Sequence, residues 1–246
     1  MLTRQPPEVL PALRAAKALA RWDVRLALGR QYGEDGALLP EAEVALCRAV
    51  GVMRGMGVEK AALRVSAAGI RIQPVGGQAE VGPGRRNHAP WLEAVAKLGV
   101  TRLTLQSIAL SHQDMDTLSR CSSLQLSPRE LHLQTLELVC TSYPVSALPR
   151  LARLPSLGFL ALDCDFWVTG AEGARRVCEP LEARGALLAL CSDDRWAGRS
   201  VYATLYYIEG LDEALAAQLR SIVASLGDEL GRLGVDTHKL QITTYG

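Results

Sequence analysis

Two short segments set a thiol among carboxylates: LDCDFW, with Asp163, Cys164 and Asp165, and LCSDDRW, with Cys191, Asp193 and Asp194. A cysteine nucleophile needs a neighbouring base such as histidine to take its proton, and neither segment supplies one locally. The expectation for both is solvated turn residues or an acidic binding patch. SHQDMD, with His112, Asp114 and Asp116, alternates oxygen groups as a cation-binding loop does, but it lacks the glycine and the distal glutamate of an EF-hand. Acidic residues at the start of a helix favour its dipole, and Ser111 in front of them is a good N-cap, so capping is the expected role. GPGRR, residues 82–86, followed by Asn87 and His88, carries two arginines without the G-x-x-x-x-G-K-[ST] spacing of a phosphate loop. It reads as a flexible insertion whose arginines could touch an acidic partner. His88, His112, His132 and His238 are scattered, none in a metal-binding or nucleophile-elbow context. These residues give no reason to expect an enzyme, a metal or a cofactor.

Composition narrows the partners. The 246 residues carry 27 basic and 26 acidic side chains, so the overall field attracts neither nucleic acid nor an acidic membrane specifically. No window approaches the roughly 20 apolar residues that span a bilayer, and prolines and Glu8 interrupt the first residues, unlike a secretory signal. Cysteines at 47, 121, 140, 164, 178 and 191 form no C-x-x-C pair, which predicts reduced thiols and a cytoplasmic protein. Apolar residues make up 48% of the chain and aromatics only 5%, so the core must be aliphatic.

The elements that would carry these residues follow a period. TRLTLQS has Leu103 and Leu105, RELHLQT has Leu131 and Leu133, GFLALDC has Leu160 and Leu162, and ALLALCS has Leu188 and Leu190. The steps between these pairs are 28, 29 and 28 residues, a regularity that marks stacked supersecondary units. Between them, HQDMDTLSRCSSL, PVSALPRLARLP and GAEGARRVCEPLEARG read as helices, the second with Val145, Leu148, Leu151 and Leu154 on one face. Gly99 and Gly185 are expected at helix C-termini. Upstream, Leu63 and Val65 repeat the motif, and Leu26 and Leu28 offer a further copy after an Ala-rich helix, Val9 to Ala20. Downstream, RSVYATLYYIEG reads as a strand, LDEALAAQLRSIVASLGDELGRLG as the longest helix and THKLQITTYG as a last strand.

This middle region, about residues 90–195, resembles leucine-rich repeat proteins of the ribonuclease-inhibitor-like type, which include the repeat domains of F-box substrate adaptors. Val100, Leu103, Leu105 and Leu110 fit the pattern L-x-x-L-x-L-x-x-N-x-L, as do Leu157, Leu160 and Leu162 with Trp167 in the final slot. In the Asn slot stand Ile108, Leu136, Asp165 and Asp193, so the resemblance comes without an asparagine ladder, and stacking must rest on aliphatic burial. The resemblance implies an α/β solenoid: a curved, mainly parallel sheet with helices on the convex side. Its parts would be N-terminal helical and first repeats (1–57), core repeats (58–195) with an inserted loop at 75–89, and a C-terminal cap of β-hairpin, helix and strand (196–246).

Side chains alternate along a strand. If the leucines point into the core, Arg102, Thr104 and Gln106 point out. The expected outward sets that follow are Glu130, His132 and Gln134, then Phe159, Ala161 and Asp163, then Leu187, Ala189 and Cys191. Arg102, Thr104, Gln106, Glu130, His132, Gln134, Phe159 and Asp163 are the candidate binding residues of a concave face that recognises a protein or peptide. PPEVL, residues 6–10, is similar to the start of an F-box, which implies Skp1/cullin-type ligase components as partners; the run after it departs from that motif. A structural subunit of a larger assembly and a small α/β enzyme are the competing readings.

Overall fold

The computed structural model describes residues 23–27, 39–55, 62–66, 88–96, 100–106, 108, 110–120, 133–139, 141, 143–154, 156–168, 180–207, 213–237 and 240–244. In chain order the elements are β1 (Asp23–Ala27), α1 (Pro40–Gly55), β2 (Ala62–Ser66), α2 (Ala89–Ala96), β3 (Arg102–Gln106), α3 (His112–Ser119) and β4 (Thr135–Val139). Then come a 3-10 helix (Val145–Arg153), β5 (Phe159–Val168), α4 (Pro180–Cys191), a single 3-10 turn (Asp194–Trp196), β6 (Ser200–Tyr207), α5 (Glu213–Arg232) and β7 (Leu240–Thr244). The class is α/β. The seven strands among the described residues lie in one sheet in the order of the sequence, and every neighbouring pair is parallel.

Parallel neighbours need a crossover, and crossovers of one hand that always step the same way leave their helices on one face. The helices pack accordingly: α1 on α2, α2 on α3, α3 on the 3-10 helix, that helix on α4, and α4 on α5. Strand alternation supplies the other half of the core. Leu63, Leu103, Leu136, Leu160 and Val201 stand in register across five strands, and Val65, Leu105, Leu138, Leu162 and Ala203 form the next row. All ten are buried, and they meet Leu46, Trp91, Leu92, Met115, Leu148 and Leu190 from the helices in one apolar cluster.

These rows correct the period. The motifs at Leu103/Leu105 and Leu160/Leu162 are strands as expected, and Leu63/Val65 pair with Leu103/Leu105. The strand between them is TLELV, so Leu103 pairs with Leu136, three residues beyond Leu133. ALLALCS is helical and buries Leu187, Leu190 and Cys191 from α4. Along the first row the steps from Leu63 to Leu103, Leu136, Leu160 and Val201 are 40, 33, 24 and 41 residues. Ala and Leu are strong helix formers, so an L-x-L among them carries little strand preference, whereas Thr and Val flank the leucines of TLELV. At the N-terminal edge, Val24 and Leu26 take the places of Leu63 and Val65, one motif position earlier than Leu26 and Leu28.

Gly185 lies inside α4 rather than at its end. The C-terminal hairpin is replaced by a parallel crossover from β6 through α5 to β7. Of the inserted loop 75–89 only His88 and Ala89 are described, the latter opening α2; Val9 to Ala20 and Gly99 lie outside the described residues.

Other local readings hold. Val145, Leu148, Leu151 and Leu154, spaced by three, are all buried, and a spacing of three is the turn of the 3-10 helix that Val145–Arg153 forms. The strand, the helix and the last strand expected downstream are β6, α5 and β7. After Arg232, Gly234 takes φ +76° while Val235 N–H donates to the Leu230 carbonyl (3.0 Å), a glycine-dependent C-cap.

Candidate binding surface

The sheet face turned away from the helices is built by the residues between the buried leucines. Register aligns Arg25, Arg64, Thr104, Glu137, Ala161 and Tyr202 in one row across β1–β6. The adjacent row is Asp23, Ala62, Arg102, Thr135, Phe159 and Ser200, and the row on the other side begins Ala27, Ser66, Gln106, Val139, Asp163. Ala161 is 7% exposed yet stands outside the core cluster, as a short side chain between Glu137 and Tyr202 would.

Glu137 ties the middle of this face together. One carboxylate oxygen accepts from the Arg102 guanidinium, and the other accepts from the Thr104 hydroxyl at 2.7 Å. Arg102 comes from the row beside Glu137, so the pair spans two rows as well as two strands. Its side chain keeps 54% of its surface exposed while that of Glu137 keeps 13%. Arg25, Arg64 and Arg102 thus stand on β1 to β3 and Glu137 on β4, with Asp23 and Asp163 at register positions of the flanking rows and Phe159 and Tyr202 on β5 and β6.

The expected binding residues divide into three groups. Arg102, Thr104, Gln106 and Phe159 come together on this face. Gln134 is exposed but precedes β4, where its carbonyl accepts from the Gly158 and Phe159 amides, and its place on the face is taken by Thr135, Glu137 and Val139. Glu130 and His132 lie outside the described residues, and Leu187, Ala189 and Cys191 belong to α4 rather than to a strand. Asp163 begins a stretch in which the register between β5 and β6 shifts, between Leu162 and Phe166; LDCDFW is thus an irregularity in a strand, not a turn. Sequence reasoning missed Arg25, Arg64, Glu137 and Tyr202. Each sits between two core residues of its strand, so the signal was present once the strand was placed.

A second polar cluster lies at the helix starts. Ser111 caps α3 as expected, accepting from the Asp114 amide at 3.2 Å. Asp114 returns the capping box by accepting the Ser111 amide and hydroxyl, both at 2.8 Å, and it also accepts the His88 amide at 2.6 Å. His88 Nδ1 in turn accepts the Trp91 indole N–H at 3.1 Å. Asp114 and His88 are both fully buried, so this constellation joins two helix N-termini and leaves no room for a substrate. On the outside, Arg150 donates to Asp116 (2.6 Å) and to the His112 carbonyl (3.1 Å), and His112 Nε2 lies 3.3 Å from the Ser146 hydroxyl.

Neither thiol whose surroundings are described is activated. Burial pushes Cys191 up to about 12, and burial followed by the nearby Glu43 raises Cys47. Among the described residues no group of three or more His, Cys, Asp or Glu is placed to hold a metal, and no helix is long and apolar enough to cross a membrane. No protein-family model matches the chain, and no curated protein is found similar to it.

Proposed function

We propose that the chain is an αβ solenoid of leucine-rich-repeat type that binds a protein or peptide on its helix-free sheet face. One observation carries this reading: six consecutive strands present outward residues in unbroken register, polar at one end and ending in Tyr202, while the described helices pack on one another and onto the buried rows. Such a row offers hydrogen-bond donors, an acceptor and large rigid side chains, which interface centres favour.

Two features support the repeat reading beyond strand order. The aliphatic rows stack one unit on the next, as a solenoid requires. With β4 placed at TLELV, the position three residues after its second leucine is Thr141, equivalent to Ile108 after β3. Thr141 is buried and its hydroxyl donates to the Leu105 carbonyl at 2.9 Å, also lying 3.1 Å from the Val139 carbonyl. A side chain bonding the backbone of the preceding unit is the role asparagine plays in the family pattern, and Ile108, fully buried, fills the same slot by packing.

The test blocks the face at a buried alanine, and an unchanged urea-unfolding midpoint shows that the variant still folds. Ala161→Trp puts a large ring in the middle of the row. Partners captured by the wild-type chain and lost with this variant support the reading. Capture of the same partners by both proteins refutes it. A ligase-adaptor role adds the expectation that Skp1/cullin-type components are retained by both proteins, because the F-box-like segment lies elsewhere in the chain.

A further inference from the structure

We infer that the junction of α2 and α3 is an acid-sensitive clasp, in which proton uptake by the His88 ring releases one helix start from the other. Two helix starts share one carboxylate there. His88 is the N-cap of α2, its carbonyl accepting the Leu92 amide at 3.1 Å, and Ser111 is the N-cap of α3. Asp114, the third residue of α3, accepts the Ser111 amide on Oδ2 and the His88 amide on Oδ1. A capping box ordinarily closes one helix start on itself. Here the same side chain also holds the start of the preceding helix, across 26 residues of chain.

The ring of His88 completes the junction in one protonation state. An indole N–H can only donate, so the 3.1 Å contact from Trp91 Nε1 makes His88 Nδ1 an acceptor and sets the neutral ring with its proton on Nε2. Both rings are fully buried and meet edge to face with centroids 5.8 Å apart. A second proton on the ring turns Nδ1 into a donor facing a donor, and the two must part. Trp91, anchored in the core cluster, is then left with a buried N–H and no acceptor, a costly arrangement.

Asp114 attracts a charged ring but does not rescue the contact. Its oxygens already hold three donors, and a ring that turns toward them abandons Trp91 all the same. Of the other described ionisable groups on α1 and α2, Glu43 and Cys47 are half-buried, while Glu41, Arg48 and Glu93 are exposed. On α3, His112 and Asp116 are engaged with Ser146 and Arg150 on the outside. Histidine is the side chain that changes charge between pH 5 and 8. Bonds made only by the neutral ring are present above that window and lost as pH falls through it.

Urea unfolding of the full chain at pH 7.5 and 5.5 tests the clasp. The wild-type midpoint is expected to fall by about 0.4 M on acidification. His88→Asn keeps a favoured N-cap residue that does not titrate, and its midpoint is expected to be the same at both pH values. His112→Gln removes the exposed histidine beside Ser146 and is expected to fall as the wild type does. Equal wild-type midpoints at the two pH values overturn the inference, as does a fall in His88→Asn as large as that of the wild type. So does a fall that His112→Gln abolishes. Long-range proton–nitrogen NMR of the wild type needs no variant and is expected to show His88 protonated at Nε2 and bare at Nδ1 at pH 7.5. A proton on Nδ1 there refutes the clasp whatever the variants do.

Discussion

Asp114 and Glu137 are both carboxylates fixed by several donors, yet they sit in opposite parts of the molecule. Asp114 is fully buried among backbone and side-chain donors at two helix starts: the His88 amide, the Ser111 amide and the Ser111 hydroxyl. Glu137 stands on the helix-free face, held by the Arg102 and Thr104 side chains. The first set of donors cannot leave without unfolding a helix start. The second includes the Arg102 guanidinium, more than half exposed, which can turn to another acceptor. A fixed acceptor inside a core belongs to the scaffold, whereas an exchangeable one on the sheet face suits the proposed recognition.

The most damaging way to probe this contrast is Asp114→Ala. It strands the buried His88 N–H and the part-buried Ser111 N–H and removes half of the capping box, at a cost of about 3 kcal/mol. The expected result is a lower midpoint in urea unfolding with the slope unchanged. A loss below about 1 kcal/mol means that water replaces the carboxylate and that the site is more open than its burial indicates.

Cys191 shows what the same burial does to an ionisable group without such donors. Its thiol is pushed up to about 12 from 9.0 by burial alone. A proton is thus held more tightly in the folded chain than in the unfolded one. The stability from this group is complete below pH 9 and is lost as pH rises from 9 toward 12. Unfolding midpoints of the wild type are expected to fall over that window, and Cys191→Ala to flatten the fall. An identical alkaline profile for the two proteins disproves the assignment. Native Cys191 is also expected to resist alkylation at pH 8 until denaturant is added.

A neutral buried donor falls between these cases. Thr141→Val keeps the shape and removes the hydrogen bond to the Leu105 carbonyl, leaving that buried acceptor short of one partner. The expected cost is about 1–2 kcal/mol, read from chemical denaturation. A neutral effect removes the asparagine-like role given to this position.

The scaffold side of the contrast was the more legible in the sequence, and for a physical reason. Core rows demand apolar side chains at alternating strand positions, so Leu103/Leu105 and Leu160/Leu162 announce themselves. Ser111 as a helix cap rests on three adjacent residues, and local hydrogen bonding suffices to read it. β4 was missed because LHL and LEL share one pattern within a few residues, and the choice between them is made by pairing with β3 and β5. ALLALC was misread because two leucines at i and i+2 say nothing about period when alanine and leucine surround them. The candidate binding face inherits both errors. Arg102, Thr104 and Phe159 were placed because their strands were, whereas Glu137 was hidden by a strand set too early.

The gentlest test of the comparison is therefore Glu137→Ala. Its bonds join side chains on an open face, so their removal changes stability by no more than about 1 kcal/mol, against about 3 kcal/mol for Asp114→Ala. Thr104 keeps its hydroxyl, and at 4% exposure it has few alternatives to Glu137, so the residual cost falls mainly there. Arg102→Ala separates the two contributions, because it leaves the Thr104–Glu137 bond intact and is expected to be the milder change. The double variant Arg102→Ala with Glu137→Ala then measures the pair alone, with a coupling below about 1 kcal/mol. A coupling of 2 kcal/mol or more contradicts the exchangeable pair and places Glu137 with Asp114 in the scaffold. A small coupling leaves the pair exchangeable, as the proposed binding on this face requires.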